Sequence, residues 1–238
     1  HDLHQAGKNI YRADYQPLPP EEWPAEWKTI DYKQYPRFTQ LPLPLPDQSS
    51  RLAQLCTARS SQRSFAGLGL TRESLGNALY AAGGQLTHNQ SSTRRVYASA
   101  GARYPIELYV IVRTSRDPDL TPGVYHYQVN THTLEYLWPE KDQLPPLVTH
   151  DWADKAEAIV VMTAVFARST NKYGARGYRF IYMDAGAMLQ NLYLHAAETD
   201  CMAITGYGGT NDDVLETLLR LNPTKESVVC AALIGSAA

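Results

Sequence analysis

Eight of the fifteen prolines fall within the first 46 residues, ending in Leu-Pro-Leu-Pro-Leu-Pro over 41–46. Proline has no amide proton and a fixed φ, so such a stretch supplies neither a sheet ladder nor a helix interior. The expectation is an extended arm over 1–46 that wraps a surface, followed by one compact domain over 47–238. The arm carries Tyr11, Tyr15, Trp23, Trp27 and Tyr32. Rings at that density suit docking onto the body or a partner better than a free linker.

The 238 residues and 26.6 kDa sit at the upper edge of a single domain. A hydrophobic content of 44% argues against wholesale disorder. The 22 Lys and Arg against 24 Asp and Glu leave a net charge of -2, with no long run of one sign. A sequence-independent nucleic-acid binder needs a basic stripe, so that class is excluded. No stretch approaches the roughly 18 apolar residues of a membrane span, and no basic-then-apolar signal opens the chain. Cys56, Cys201 and Cys230 are odd in number and far apart, without zinc spacing. They are expected as small buried hydrophobes in a reducing, cytoplasmic compartment, and no metal is expected.

The pattern predicts a helix from an Asp47 cap to Ala58. A second starts after the N-cap Thr71, carries Leu75 and Leu79 on one face, and stops at Gly83-Gly84. Strands are expected over 106–113, over a hairpin at 124–128 and 133–138, and over 158–166. Ile181, Ala185, Met188, Leu192 and Ala196 keep helical spacing in the longest helix, 179–199. Its Ala185-Gly186-Ala187 segment would let another backbone approach closely. Short strands at 201–205 and 227–234 bracket a helix at 212–220. Without regular βαβ alternation, an α+β fold with a mixed central sheet and flanking helices is expected.

Three segments carry candidate chemistry. In an extended Arg59-Ser60-Ser61-Gln62-Arg63-Ser64-Phe65 run, alternate residues face one way, so Arg59, Ser61 and Arg63 form a grip for a phosphate ester. Spacing alone equally describes a solvated loop, which is the commoner case. Ser99-Ala100-Gly101-Ala102 uncovers backbone on which a flat ligand can lie; a tight turn before the next strand is the plain alternative. Thr205-Gly206-Tyr207-Gly208-Gly209-Thr210 superficially suggests a dinucleotide loop, but Asn211 stands at the third glycine position and no βαβ unit follows. What survives is a glycine-rich loop with amides free for a ligand. His1 and His4 have no companions for a metal. Asp184 is expected to face solvent or cap a neighbour, His126 and His195 to be structural, and Arg94-Arg95 to help hold a phosphate.

In order and spacing these segments resemble the FMN-dependent nitroreductase superfamily, and within it the SagB-type branch of azoline dehydrogenases and synthetase oxidase domains. The likeness runs from Ala58 to Gly235. It includes Arg-x-Ser-x-Arg-x-Phe at 59–65, Ala81-Ala82-Gly83-Gly84, Ser-Ala-Gly-Ala-x-Tyr-Pro at 99–105, Gly123-Val124-Tyr125-His126-Tyr127, the run from Lys172 to Phe180, and Gln190-Asn191. His4 and Lys8 echo an N-terminal element of the branch. Arg103 stands where an apolar residue is commoner.

The resemblance implies a nitroreductase-like, domain-entwined homodimer with one FMN per interface site. Arg59, Ser61 and Arg63 would hold the ribityl phosphate and pyrimidine edge. Gly208 and Gly209 would face the N5/O4 side, and Ser99, Ala100 and Gly101 would come from the other protomer. It also implies that Lys172, helped by Tyr173, takes a Cα proton while a Cβ hydride passes to flavin N5, turning a thiazoline or oxazoline into an azole. The lysine is expected in a polar loop, with its pKa lowered by burial. The implied substrate is an azoline on a peptide, free or tethered to a carrier protein, with oxygen as reoxidant and a biosynthetic synthetase as a partner. The alternatives are an NAD(P)H-dependent nitroreductase or flavin reductase, and a non-catalytic flavin-binding scaffold.

Overall fold

The structure is a computed structural model that describes residues 18–28, 32–86, 94–139 and 146–238. His1, His4, Lys8, Tyr11 and Tyr15 lie outside the described residues. Within the arm, residues 32–50 are exposed and form neither helix nor strand; the only regular pieces described before them are single turns at Pro20–Glu22 and Ala25–Lys28.

The body opens with α1 (Arg51–Ala58) and α2 (Arg72–Gly83). Helix α1 begins three residues later than expected, because Asp47 Oδ1 accepts bonds from the Ser49 amide and hydroxyl at 2.8 and 2.6 Å. That carboxylate closes a local turn, and Ser50 Oγ caps the helix by accepting from Ala53 N at 3.2 Å. Thr71 caps α2 in a reciprocal box with Ser74, and Gly84 follows its last turn. Next come β1 (Ile106–Val112), β2 (Gly123–Gln128), β3 (Thr133–Trp138) and β4 (Ala158–Val165), then α3 (Ala167–Tyr173), α4 (Gly177–Thr199), β5 (Met202–Gly206), α5 (Asp212–Leu218) and β6 (Glu226–Ser236).

The strands form one six-stranded sheet in the order β3-β2-β1-β4-β6-β5. Every pairing in it is antiparallel. The α+β class holds, but the sheet is antiparallel throughout rather than mixed; the parallel pairing described is the isolated Leu70–Ser115 bridge outside the sheet. Alternation across the pleat separates two cores. Val160, Met162 and Ala164 of β4 join Leu75, Leu79, Met188 and Leu192 under α2 and α4. Ile159 and Val161 join Leu215, Leu218 and Tyr207 on the other face. A strand buried on both sides needs an apolar run, and Ala158-Ile159-Val160-Val161-Met162 supplies it.

Helix α4 carries two opposed stripes. Ile181, Ala185, Met188 and Leu192 are buried, while Arg179, Met183, Gly186 and Gln190, about half a turn around, are exposed. A Cβ on Gly186 would meet nothing within 4 Å. The cysteine expectation is corrected in part: Cys56 and Cys201 are exposed, because α1 buries none of its residues and Cys201 precedes the edge strand β5. Burial pushes the half-buried Cys230 thiol up to about 11. Among the described residues no helix is long and apolar enough to cross a membrane.

Candidate active site

The structure sorts the singled-out residues into two groups. The first lies beside β5. The 59–65 segment runs extended along that edge strand, with Gln62 N donating to Ile204 O at 3.0 Å. Alternate side chains meet aromatic faces. The Arg59 guanidinium sits 5.6 Å from the Tyr193 ring centroid, Ser61 Oγ lies 3.0 Å from Tyr193 Oη, and the Arg63 guanidinium is 5.8 Å from the Trp152 ring. Tyr193 Oη also accepts from Gly206 N at 2.7 Å, tying this segment to the glycine loop. Beneath that loop, Tyr207 Oη accepts from Thr149 N at 3.0 Å and His150 N at 3.2 Å. Its ring stands edge-on to Trp152 at 5.5 Å. A Cβ on Gly209 would run into Thr149 Oγ1 and Tyr207 Oη, whereas Gly208 is exposed and open.

Arg59 and Arg63 are exposed and have no carboxylate partner among the described residues. Two uncommitted guanidiniums, a hydroxyl and an unobstructed glycine backbone fit a planar group bearing a phosphate.

The second group surrounds the 99–104 turn. Gly101, Ala102 and Tyr104 all have positive φ, at 59°, 52° and 45°. For the two non-glycine residues that is a strained backbone which surrounding contacts must hold. Ser99 Oγ accepts from Tyr104 N at 3.0 Å, Arg168 Nη1 donates to Tyr104 O at 3.2 Å, and Arg103 Nε donates to Arg168 O at 3.1 Å. A Cβ on Gly101 would collide with both Lys172 Nζ and Tyr173 Oη, so the tips of the pair converge over that glycine. Tyr173 packs edge-on to Phe180 at 4.9 Å, and Lys172 Nζ lies 5.3 Å from the Tyr173 ring centroid.

Three expectations are corrected here. Lys172 and Tyr173 end helix α3 instead of standing in a loop; Gly174, at φ 57°, terminates it. Lys172 is exposed, so this chain alone does not supply the burial that base chemistry was expected to use. Asp184 is 3% exposed, beneath the turn. Burial pushes its carboxyl up to about 6, against the Ser99 hydroxyl and the Arg95 charge, which favour the anion. Arg95 therefore serves the interior: its guanidinium lies 5.1 Å from the Tyr104 ring and Nη1 bonds Ile106 O at 3.4 Å. Among the described residues Asp184 Oδ2 and Tyr97 Oη are buried with no hydrogen-bond partner.

Beyond the turn, Glu107 pairs with Arg168 Nη1, and its other oxygen lies 3.3 Å from His126 Nε2. His126 Nδ1 reaches Glu135 at 2.8 Å. The Glu107 hydrogen bond leads the causes that raise His126, with burial opposing. His126 and Arg168 outweigh burial in holding Glu107 below the usual carboxylate range.

The two groups stay apart within the chain. Phe180, against Tyr173, and Tyr193, against Arg59 and Ser61, are about 20 Å apart along α4. Sequence reasoning missed Tyr193, Trp152, Tyr207 and Tyr97. The signal for Tyr193 was its place on α4 just past Gln190-Asn191, and for Tyr207 its place inside the glycine-rich 205–210 segment; for Trp152 there was none beyond ring chemistry.

The nitroreductase family profile matches residues 56–236, and the chain belongs to the Nitroreductase family. It is 29% identical over 187 residues to protein MJ1384 of Methanocaldococcus jannaschii, a nitroreductase by name; the match covers 74% of this chain and 88% of that protein. It is also 29% identical over 141 residues to the microcin B17-processing protein McbC of Escherichia coli, covering 53% of this chain. That match spans about half (49%) of McbC. The fold is shared with a chain of the E. coli microcin synthetase McbBCD complex solved with truncated pro-MccB17 bound, at a TM-score of 0.77 and 21% identity, covering 100% of this chain and 91% of that one.

Proposed function

We propose that the protein is an FMN-dependent dehydrogenase that converts thiazoline or oxazoline rings of a peptide natural product into azoles. The observation that carries this reading is the convergence of Lys172 Nζ and Tyr173 Oη over Gly101. An amine and a phenol brought together over bare backbone put a proton acceptor at the turn, which a Cα–H abstraction requires. Likeness to a microcin-processing protein points the same way.

Arg59 and Arg63 would bind the FMN phosphate, with Ser61 adding a hydroxyl, while the Gly208 and Gly209 backbone lies against the ring system. When bound, FMN supplies the hydride acceptor, with oxygen as the terminal oxidant. Lys172 takes the Cα proton at Nζ, and Tyr173 Oη orients that amine. The strained Ser99–Tyr104 turn, braced by Asp184 from below and by Arg168 from the side, would hold Gly101 in place beneath the pair.

Each protomer would contribute one group to each of two sites in a homodimer. The wide separation of the groups along α4 supports this, as does the exposed stripe of Met183 (67% exposed) and the open Gly186. A partner closing over Lys172 would provide the desolvation that lowers an amine's proton affinity. The 1–46 arm would be the segment that meets a synthetase partner or carrier. A second reading, an NAD(P)H-dependent nitroreductase or flavin reductase, draws on the exposure of Lys172 and the likeness to MJ1384.

The test is anaerobic bleaching of the purified yellow protein, with a thiazoline-bearing peptide in one cuvette and NADPH in another. Bleaching by the peptide is expected. Bleaching by NADPH alone would replace the azoline reading with the reductase, and bleaching by neither would leave a scaffold.

A further inference from the structure

A cleft of about 550 Å³ opens at the 99–104 turn, lined among others by Gln85, Arg95, Arg103, Glu107, His126 and Arg168. Its place follows from the chain: Arg103 comes two residues after Gly101, and Arg168 lies one helical turn before Lys172 on α3. The charges in it do not cancel. Glu107 is the one carboxylate of the lining, and both its oxygens are engaged, one by Arg168 and the other by His126. Arg95 and Arg103 add two further cations. Arg103 is exposed, commits Nε to the Arg168 carbonyl, and has no carboxylate partner among the described residues. The surrounding sequence extends the imbalance: from Ala167 to Met183 there are Arg168, Lys172, Arg176 and Arg179 and no acid. Like charges at i, i+4 repel along a helix, and an anionic ligand relieves that repulsion.

We propose that this cleft binds a short peptide segment carrying a carboxylate side chain, with Arg103 and Arg168 gripping the carboxylate next to the reacting ring. The inference rests on the azoline-peptide reading above and names the kind of sequence that flanks the ring. The volume suits a ligand larger than a lone ion. The amide side chains of Gln85 and Gln128 in the same lining both donate and accept, as a peptide backbone requires. Arg103 offers the planar fork that takes a carboxylate side-on. Glu107 on the cleft wall disfavours a second negative charge, which selects a carboxylate over a phosphate.

The test uses the full protein with its cofactor and reads the arginine Nε–H resonances by NMR. The titrants are Gly-Asp-Gly and Gly-Asn-Gly, each capped at both ends, and inorganic phosphate. The aspartyl peptide is expected to shift the Arg103 and Arg168 resonances and to bind about tenfold tighter than its asparagine twin. In Arg103→Ala that preference should vanish while the asparagine peptide binds as before; Arg103→Lys should keep part of it. A misfolded variant would lose both peptides and is recognised by that. Equal binding of the two peptides by the wild type overturns the proposal, as do shifts produced by phosphate and not by the aspartyl peptide. The flavin-bleaching result is independent: if no thiazoline peptide bleaches the protein while the aspartyl preference is present, the azoline reading falls and the anion subsite stands.

Discussion

The two groups of site residues are built on opposite physical plans. The group beside β5 is relaxed and open, with exposed cations resting on the rings of Tyr193 and Trp152 and a glycine loop seated on Tyr207. The group at the 99–104 turn is strained and braced, with three positive-φ residues held by Ser99, Arg168 and the buried Asp184. An open cationic cradle suits a tightly held, highly charged cofactor, which supplies its own order on binding. A strained platform suits a step in which a proton acceptor must be placed to within a fraction of an ångström. In the proposed function binding falls to one group and chemistry to the other, and mutations should separate them.

The largest effect is expected at Lys172. Lys172→Ala should lower azoline turnover by about 10²–10⁴-fold, the range for loss of a general base, with flavin content unchanged by absorbance. Unchanged turnover would remove the lysine from the mechanism. The opposite pattern is expected in the open group: Arg59→Ala combined with Arg63→Ala should weaken FMN binding by about 100-fold, two charge-assisted contacts at roughly tenfold each, with the melting temperature of the flavin-free protein unmoved. Equal FMN affinity of the double variant and the wild type would place the phosphate elsewhere.

Smaller effects probe the bracing. Asp184 is more easily protonated in the fold than its ordinary 3.8, at about 6. The native state therefore holds the proton that the unfolded chain gives up, and stability falls as pH rises from about 4 through 6. Asp184→Asn cannot ionise, so it should flatten that fall and be about 2 kcal/mol more stable than wild type at pH 8, by chemical denaturation. Parallel curves for the two proteins would show that the carboxyl is not desolvated. His126 is shifted in the same direction by its partners: the raised folded value makes its contribution full below 6.5 and lost as pH climbs through that higher value. His126→Gln should remove a contribution of under about 1 kcal/mol at pH 6 and little at pH 9.

Much of this was legible in the chain. Leu75 and Leu79 of α2 and Ile181, Ala185, Met188 and Leu192 of α4 are buried, as their spacing predicts, because period and burial are the same information in a helix that packs on one side. The hairpin at 123–138 and the capping of α2 by Thr71 are local chemistry and were readable for that reason. The start of α1 was not, since Asp47 and Ser50 are both good caps and only the turn closed by Ser49 decides between them. The all-antiparallel pairing was hidden as well: β6 lies between β4 and β5, and its pairing with β4 joins segments far apart in sequence.

By itself the sequence determined which residue types stand where chemistry needs them: Arg59, Ser61 and Arg63 at alternate positions, a small-residue turn, and a Lys-Tyr pair. It determined these because backbone period and side-chain chemistry are local properties. The tertiary structure alone decided which of them meet. It set Lys172 and Tyr173 over Gly101, drew Asp184 under Ser99, turned Arg95 inward, and held the Arg59 group about 20 Å away along α4. Those outcomes depend on packing between segments distant in sequence, where burial sets both the geometry and the charge state, and no local pattern encodes that.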